Sequence, residues 1–188
     1  MRSIRSAGSR ASPRVGRCRS LLAAHTGTRF GGSATRTVTF APTFAAAAAW
    51  LDALPAATGV PIERTVLGGF SQGAVMSYAL GLAAGRPAPA GILALSGFIP
   101  TVEGLDLRLE ERAGLPVAIG HGTHDQVIGV EWGRDARERL EAAGVDVLYR
   151  ESPMAHTIDP LYLADLRGWL ERTIEGAAEQ AAVGRAAG

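Results

Sequence analysis

The chain has 188 residues, of which 47% are hydrophobic and 20% are charged, a length and composition that suit one globular domain. Its apolar runs are shorter than the roughly 18 residues that a membrane-spanning helix needs, so an integral membrane protein is not expected. The single cysteine, Cys18, excludes an intramolecular disulfide framework and a cysteine-based zinc cluster.

The net charge of +1 conceals an uneven distribution of charge along the chain. All 19 basic residues are arginine, and eight of them precede the first acidic residue, Asp52. From that point on, 11 arginines stand against 18 acidic residues. The sequence therefore predicts a basic head joined to an acidic body.

Residues 1–36, the basic head, are rich in Ser, Arg and Gly and show no apolar periodicity, which predicts a disordered segment. Three interpretations stay open: an organellar targeting segment, an arm for nucleic acid or an anionic surface, or translated sequence from a misassigned start. A nucleic-acid partner is not expected, because the arginines lack interleaved aromatic residues. No secretory hydrophobic core is recognisable, and a cytoplasmic location is expected.

Residues 37–176 have the pattern of a folded domain, and an Ala/Gly-rich tail follows over 177–188. The first predicted element is a helix whose apolar residues recur at helical spacing between Phe44 and Leu54. Pro42 is expected to start this helix and Pro55 to stop it.

Strands and helices alternate in the remainder of the domain. Strands are predicted at 65–67, 91–96, 115–119 and 145–149, and helices over 72–82 and 132–143. A last helix is predicted to begin at Asp159 and Pro160, with an apolar face of Leu163, Leu166, Leu170 and Ile174. Two strands are apolar without alternation, so we expect a doubly wound α/β fold with a mostly parallel sheet and helices on both faces.

The segment Gly69-Phe70-Ser71-Gln72-Gly73 matches G-x-S-x-G between the first predicted strand and its helix. Roughly 0.16 matches are expected by chance in a chain of this glycine and serine content, so the motif indicates a nucleophile only in the right structural context. A nucleophile elbow needs a sharp strand-to-helix turn, in which flanking glycines leave room and the serine adopts strained backbone angles. The alternative is a glycine-rich strand-to-helix turn with an exposed serine that has no catalytic role.

The partners of such a serine must follow in the order Asp or Glu, then His, each in a loop at the carboxyl end of a later strand. Asp125 follows the third predicted strand and His156 follows the fourth. In a triad of these residues, His156 acts as general base and acid for Ser71, and Asp125 fixes the histidine tautomer. The backbone N–H of Gln72 is then one oxyanion donor.

Other chemistry-bearing residues have plainer interpretations. His121 and His124 are close in sequence, but without a cysteine nearby or a second pair of ligands a metal site is not expected. His121 is instead expected to pack in the turn, and His124 to lie on the rim of the cleft. Ser96 is interpreted as a hydrogen-bonding loop residue. Packing roles are expected for the three tryptophans, Trp50, Trp132 and Trp169, although Trp132 also follows the Asp125 loop, where it could line an acyl pocket.

As a set, four motifs resemble the phospholipase/carboxylesterase family of α/β-hydrolases over about residues 43–175. They are Gly69-Phe70-Ser71-Gln72-Gly73, Leu95-Ser96-Gly97, His121-Gly122-x-x-Asp125 and Pro153-Met154-x-His156. This branch includes acyl-protein thioesterases and small bacterial carboxylesterases. The resemblance implies a serine hydrolase with the triad Ser71, Asp125 and His156, which cleaves small carboxylic esters or thioesters without a metal or organic cofactor.

The front of the chain departs from the family pattern, which places a second oxyanion donor in a His-Gly-type loop well ahead of the nucleophile. Four early strands with their connections need on the order of 80–100 residues, and 65 residues precede the elbow strand here. Residues 21–27 resemble that strand and loop only weakly. We therefore expect the early strands to be incomplete. The alternative function is a catalytically impaired or inactive fragment of the family, whose open sheet edge promotes self-association.

Overall fold

The structure is a computed structural model that describes residues 33–186, with side chains described from Phe40 to Val183. Its helices are α1 (Ser33–Thr58), α2 (Gln72–Leu82), α3 (Val130–Ala142) and α4 (Pro160–Ala186). Its strands are β1 (Val66–Phe70), β2 (Gly91–Leu95), β3 (Pro116–Gly122) and β4 (Asp146–Ser152), and short 3-10 turns lie at Ile62–Arg64 and Glu110–Arg112. Within this part of the chain, no helix is long and apolar enough to cross a membrane. The predicted 1–32 portion of the disordered head lies outside the described residues.

The four described strands form one parallel sheet in the order β1-β2-β3-β4. Val66 of β1 pairs with Gly91 of β2, and the register continues through β3 to β4. The parallel direction predicted from the apolar strands is therefore confirmed. It brings the carboxyl ends of all four strands, and the loops that follow them, to one edge of the sheet.

Helices cover both faces of the sheet, as the doubly wound prediction requires. Alternate residues of β3 point to opposite faces, with Val117 in one core and Ala118 in the other. The first core packs α2 and α3 against the sheet and includes the fully buried side chains Tyr78, Leu82, Ile92, Val117 and Leu140. The second core packs Tyr162, Leu166 and Trp169 of α4 on the other face.

Three strands extend beyond their predicted ends. β1 continues through Gly68 and Gly69 to Phe70, β3 reaches Gly122 and β4 reaches Ser152. Glycine has a low strand propensity, so the sequence pattern stops early, whereas pairing with the neighbouring strand keeps these residues extended. The longer strands carry the backbone up to the loops that hold the candidate site.

Helix α1 differs from its prediction at both ends, because Pro42 does not start it and Pro55 does not stop it. It begins at Ser33, inside the predicted head, and ends at Thr58. The fixed φ of proline is compatible with a helix, and each ring removes only one main-chain donor. The stop is Gly59, whose φ of 73° is the left-handed conformation that commonly ends helices.

Helix α4 begins as predicted, with the Asp159 side chain accepting a hydrogen bond from Leu161 N at 2.8 Å. Its buried face was predicted wrongly: Leu166 is buried, but Leu163, Leu170 and Ile174 are 50%, 38% and 42% exposed. The face that meets the sheet consists of Tyr162, Leu166, Trp169 and Thr173. The rings of Tyr162 and Trp169 fill the space over Gly120 and Gly91 of the sheet, and the Thr173 hydroxyl on this face donates to Trp169 O within the helix. The helix also continues through the predicted tail to Ala186, because alanine is the strongest helix former.

The tryptophans divide between buried and exposed positions. Trp169 is buried against the sheet, which confirms its packing role. The packing role predicted for Trp50 was wrong, since this side chain is 66% exposed. Trp132 packs on Phe98 but is 45% exposed, which leaves the alternative of an acyl pocket open for it. These two side chains lie on outward flanks of α1 and α3, where the periodic pattern alone does not separate a covered flank from an open one.

Candidate active site

Ser71 lies in a sharp turn between β1 and α2. Its backbone has φ 56° and ψ −119°, an unusual conformation for a residue with a side chain, which confirms the predicted strain. A Cβ at Gly69 would collide with the backbone of Gly73, so this turn requires the first glycine of the motif. A Cβ on Gly73 would meet no described atom within 4 Å, so crowding does not explain the second glycine.

The strain at Ser71 predicts an inverted order of stability for small substitutions. We expect Ser71→Gly to be more stable than Ser71→Ala by about 1–3 kcal/mol, because glycine adopts positive φ freely. The measurement is urea unfolding of the two variants. The matched pair Glu138→Gly and Glu138→Ala, at an exposed position of α3, should show the usual order, with glycine less stable by about 0.5–1 kcal/mol. An alanine variant at least as stable as the glycine variant at position 71 contradicts the strained turn.

Asp125 is buried in the loop that follows β3. Its Oδ1 accepts hydrogen bonds from Val127 N at 2.8 Å and Ile128 N at 2.9 Å, so the carboxylate is fixed by its own loop. Burial alone raises the pKa of Asp125, but the hydrogen bonds from His156, Ile128 and Val127 outweigh it and leave this pKa below its usual value. The group is therefore ionised at neutral pH.

His156 lies in the loop after β4, next to the Asp125 loop. The two loops approach closely at Gly122, where a Cβ would collide with the carbonyl oxygens of Met154 and Ala155. His124 N donates to Met154 O at 2.9 Å and joins them further. The imidazole also packs on Phe70, with ring centroids 4.7 Å apart. Contacts on several sides thus set the orientation of the ring.

The structure brings together the three residues that the sequence singles out as a triad. His156 Nδ1 lies 2.7 Å from Asp125 Oδ2, and His156 Nε2 lies 2.9 Å from Ser71 Oγ. Since an ionised carboxylate only accepts, Nδ1 carries the hydrogen and Nε2 is free to accept the serine hydroxyl proton. This arrangement can transfer a proton from Ser71 to the imidazole, which is the step that activates a serine nucleophile.

Gln72 is the first residue of α2, so its N–H is one of the donors that a helix leaves without an internal partner. It directly follows Ser71, at the positive end of the helix dipole. A negative oxygen that forms on a carbon bonded to Ser71 Oγ can accept from this group. The position suits the oxyanion donor predicted from the sequence.

His121 is buried, in agreement with the packing in the turn that the sequence predicts, and in addition it supports the Asp125 loop. It is buried at the end of β3, and its Nε2 donates to Ile128 O at 2.8 Å, so it ties down the loop whose N–H groups hold Asp125. Its Nδ1 faces Gly133 of α3, where a Cβ would lie 2.6 Å away. The signal in the sequence was a histidine at the strand end, four residues before the aspartate.

The other candidate residues take no part in the hydrogen bonds among Asp125, His156 and Ser71. His124 is exposed, and Ser96 is buried with φ 48° and donates its N–H to Gly120 O at 2.8 Å. Among the described residues, no group of three or more His, Cys, Asp or Glu could hold a metal ion. Cys18 lies outside the described residues.

An aromatic pair lies near the serine. Gly97 is close enough that a Cβ there would contact Ser71 O at 3.4 Å, and the next residue, Phe98, packs on Trp132 with ring centroids 5.5 Å apart. Trp132 is partly exposed, so the pair offers an accessible apolar surface beside the turn. Such a surface can contact a hydrocarbon group of a ligand.

The ion pair of Glu151, on β4, predicts that the folded chain loses stability at low pH. Arg134 bonds Glu151 through two N–H groups at 2.7 and 2.8 Å, and chiefly this hydrogen bonding lowers the pKa of Glu151 to about 2. The unfolded chain therefore binds this proton at higher pH than the folded one, and the stabilisation is present above the ordinary pKa and lost as the pH falls toward 2. We expect melting temperatures measured between pH 7 and pH 2 to fall less steeply for Glu151→Gln than for Glu138→Gln on α3. Equal slopes contradict this role of the ion pair.

A parallel sheet covered on both faces, with a strained serine between a strand and a helix and an Asp–His pair on the following loops, defines the α/β-hydrolase class. Residues 42–174 match the phospholipase/carboxylesterase family. The chain belongs to that family.

Several curated proteins are similar to this chain in sequence. The chain is 33% identical to acyl-protein thioesterase 1 of Yarrowia lipolytica over 122 residues, which are 62% of this chain and 53% of that protein. It is 29% identical to lysophospholipase-like protein 1 of Mus musculus, covering 63% of this chain and 51% of that protein. The chain therefore spans about half the length of the curated relatives it matches.

Solved structures agree on the fold. Esterase PE8 is 28% identical, with a TM-score of 0.63 over 76% of this chain and 66% of that one. SOBER1 of Arabidopsis thaliana is 24% identical, with a TM-score of 0.60 over 73% and 66% of the two chains, and shows the fold alone. The expected α/β-hydrolase architecture is thus confirmed.

Proposed function

We propose that the chain is a serine hydrolase that cleaves carboxylic esters or thioesters of small acyl substrates through an acyl-enzyme on Ser71. The observation that carries the proposal is the line of hydrogen bonds from Asp125 through His156 to Ser71. Family membership and relatives named acyl-protein thioesterase support the same class of reaction.

In the acylation step, His156 Nε2 takes the proton of Ser71 Oγ while this oxygen attacks the acyl carbonyl carbon. The imidazolium then gives the proton to the leaving alcohol or thiol as the C–O or C–S bond breaks. Water repeats the sequence in deacylation and releases the carboxylic acid. Asp125 keeps the histidine in the required tautomer, and its lowered pKa supports a group that stays ionised beside the imidazolium.

The tetrahedral intermediate needs donors for its oxyanion. Gln72 N–H supplies one in this proposal, at the start of α2. Removing one donor from such a pair costs about 2.7–4 kcal/mol, a 10²- to 10³-fold loss of rate. The second candidate function, a catalytically impaired or inactive fragment of the family, rests on the edge position of β1 within the described sheet and on the partial coverage of relatives.

The acyl group is proposed to lie over Phe98 and Trp132. The support is the contact between these rings and the closeness of Gly97 to Ser71. Removing a hydrocarbon chain from water favours binding by about 0.8 kcal/mol for each buried methylene, so an exposed aromatic surface here favours substrates with an apolar acyl group.

The test is covalent labelling combined with pre-steady-state kinetics. We expect a fluorophosphonate to add one equivalent at Ser71, located by peptide mass spectrometry, and p-nitrophenyl butyrate to release a burst of p-nitrophenol near one equivalent. Parallel assays with an acyl thioester separate the two substrate classes. Labelling with slow turnover favours the impaired fragment. Folded protein without labelling or turnover contradicts hydrolase activity.

A further inference from the structure

Phe70 is the last residue of β1 and directly precedes Ser71. Side chains alternate across a strand, so neighbouring residues of β1 belong to different layers of the fold. Leu67 packs with α1, whereas Val66 and Phe70 pack in the core that α4 covers. One short segment therefore supplies both the nucleophile of the proposed reaction and an aromatic side chain on the α4 side of the sheet.

The ring of Phe70 contacts the imidazole of His156. The two ring centroids lie 4.7 Å apart and the ring planes are inclined by 41°, which is a favourable arrangement for an aromatic pair. His156 belongs to the loop after β4, and two strands separate β4 from β1 in the sheet. The contact therefore joins the strand that precedes the serine to the loop that carries its proposed base.

Hydrogen bonds secure the edge of the imidazole. Its Nδ1 lies 2.7 Å from Asp125 Oδ2, and its Nε2 lies 2.9 Å from Ser71 Oγ. Bonds at the two ring nitrogens lie near the plane of the ring, so the ring can still rock about the line that joins the two acceptor atoms. A rigid side chain that packs on the ring restricts this motion. Phe70 is such a side chain, because it is planar and has few rotatable bonds.

Phe70 is itself firmly supported. It pairs with Leu95 of β2 in the register of the sheet, and it packs against the core formed by Leu95, Tyr162 and their neighbours. Tyr162 is buried, and its hydroxyl donates to Ile119 O at 3.1 Å, which fixes this core to the strands. The side of the imidazole that meets Phe70 therefore meets a rigid part of the fold.

The loop of His156 does not have an equally solid base. A small cavity of about 10 Å³ separates part of this loop from the strand ends, and its lining includes Met154 and Thr157, on either side of the histidine. A cavity of this size has room for about one water molecule. Packing beneath the loop is thus incomplete, and the contact with Phe70 has a correspondingly larger share in holding the ring.

We propose that Phe70 is a positioning residue, whose ring holds the His156 imidazole so that Nε2 stays directed at Ser71 Oγ. The proposal rests on the serine hydrolase function proposed above. In acylation, Nε2 accepts the proton of Ser71 and then gives it to the leaving group, whose atom occupies a different point near the serine. A ring that rocks loses alignment with both atoms, whereas a ring held by Phe70 keeps Nε2 within reach of each.

The first test is a series of substitutions at position 70, assayed by hydrolysis of p-nitrophenyl butyrate and by fluorophosphonate labelling of Ser71. We expect Phe70→Tyr, which keeps the ring, to retain most of kcat. Phe70→Leu should lower kcat about tenfold and Phe70→Ala about 100-fold, since a misplacement of about 1 Å has an effect of this size. KM should change little, and labelling should slow in proportion to kcat, because the loss arises at the proton transfer and not in binding.

The second measurement does not depend on turnover. Nitrogen–proton NMR correlation spectra show which nitrogen of a neutral imidazole carries the hydrogen, and His156→Asn identifies the signals of His156 among the four histidines. We expect the Nδ1–H form in the parent chain and in Phe70→Tyr. A mixture with the Nε2–H form is expected in Phe70→Leu and Phe70→Ala, because a rocking ring spends part of its time away from Asp125 Oδ2. A residue that only stabilised the fold would lower the free energy of unfolding and leave the tautomer unchanged.

Phe44→Leu is the matched control. Phe44 is half-buried like Phe70, but it packs in the core of α1 on the other face of β1. This variant should keep the tautomer, the kcat and the labelling rate of the parent chain. Circular dichroism and urea unfolding establish that each variant is folded, and Phe70→Leu, which keeps much of the apolar volume, carries the test if Phe70→Ala does not fold.

Folded Phe70→Leu with the parent tautomer and a kcat within about threefold of the parent chain overturns the proposal. A parent chain that the fluorophosphonate does not label contradicts the hydrolase function instead. In that case the tautomer of the Phe70 variants still decides whether Phe70 positions His156, so the two failures are distinguishable.

Discussion

Ser71→Ala is expected to lower kcat for p-nitrophenyl butyrate by about 10⁴- to 10⁶-fold and to abolish the burst of p-nitrophenol. The variant removes the atom that bonds the acyl carbon in the proposed mechanism, and alanine keeps the Cβ of the side chain. The residual rate comes from general binding and the oxyanion donor, so KM should change little. The measurement is single-turnover and steady-state kinetics on proteins whose folding is checked by circular dichroism.

A matched control is available in Ser96→Ala, which makes the same chemical change at the end of the neighbouring strand. Ser96 is buried and lies outside the hydrogen bonds that join Asp125, His156 and Ser71. We expect its kcat to stay within about tenfold of the parent chain. A Ser71→Ala protein that keeps more than one hundredth of the activity rules out the acyl-enzyme on Ser71.

Asp125→Asn is expected to lower kcat by about 10⁴-fold with little change in KM. The amide oxygen can still accept from Val127 N and Ile128 N, so the loop is retained. The amide nitrogen, however, donates to His156 Nδ1, and the imidazole then carries its hydrogen on Nε2, where it cannot accept the proton of Ser71. The loss thus comes from the tautomer. The measurement is kcat and KM across pH 6–9.

Asp159→Asn serves as the control for this change. Asp159 caps α4 and bonds Ser152 Oγ at 2.5 Å, in the next loop to the site but away from the proton transfer. We expect less than about tenfold loss of kcat, together with slightly lower stability, because the neutral amide keeps the cap but loses the ion pair with Arg150 and the negative charge at the start of α4. If both variants lose activity equally, loop stability rather than tautomer control accounts for the effect of Asp125.

The elements nearest the site could be predicted from the sequence. Helix α2 has the predicted bounds, Gln72–Leu82, and α4 starts at the predicted cap. These signals are local, since a cap or a strand-to-helix turn involves residues a few positions apart. The order serine, aspartate, histidine, after β1, β3 and β4, also followed from the sequence, because parallel strands carry their loops to one edge.

The flank of a helix that meets its neighbour could not be predicted in the same way. In α4, hydrophobicity alone favoured Leu163, Leu170 and Ile174, whereas Trp169 and Tyr162 fill the space over the glycines of β2 and β3. Two glycines far away in the chain thus decide which flank is covered. Similarly, Pro55 suggested a helix end, but packing extends the helix to Gly59.

The sequence by itself determined the class of fold, the family motifs and the residue types for serine chemistry, because these depend on periodicity and spacing along the chain. Only the tertiary structure decided that Ser71 and His156, 85 positions apart, lie within 2.9 Å, and that His121 braces the loop of Asp125. Such features are set by contacts between distant segments, and a sequence pattern constrains each segment without stating which others it meets.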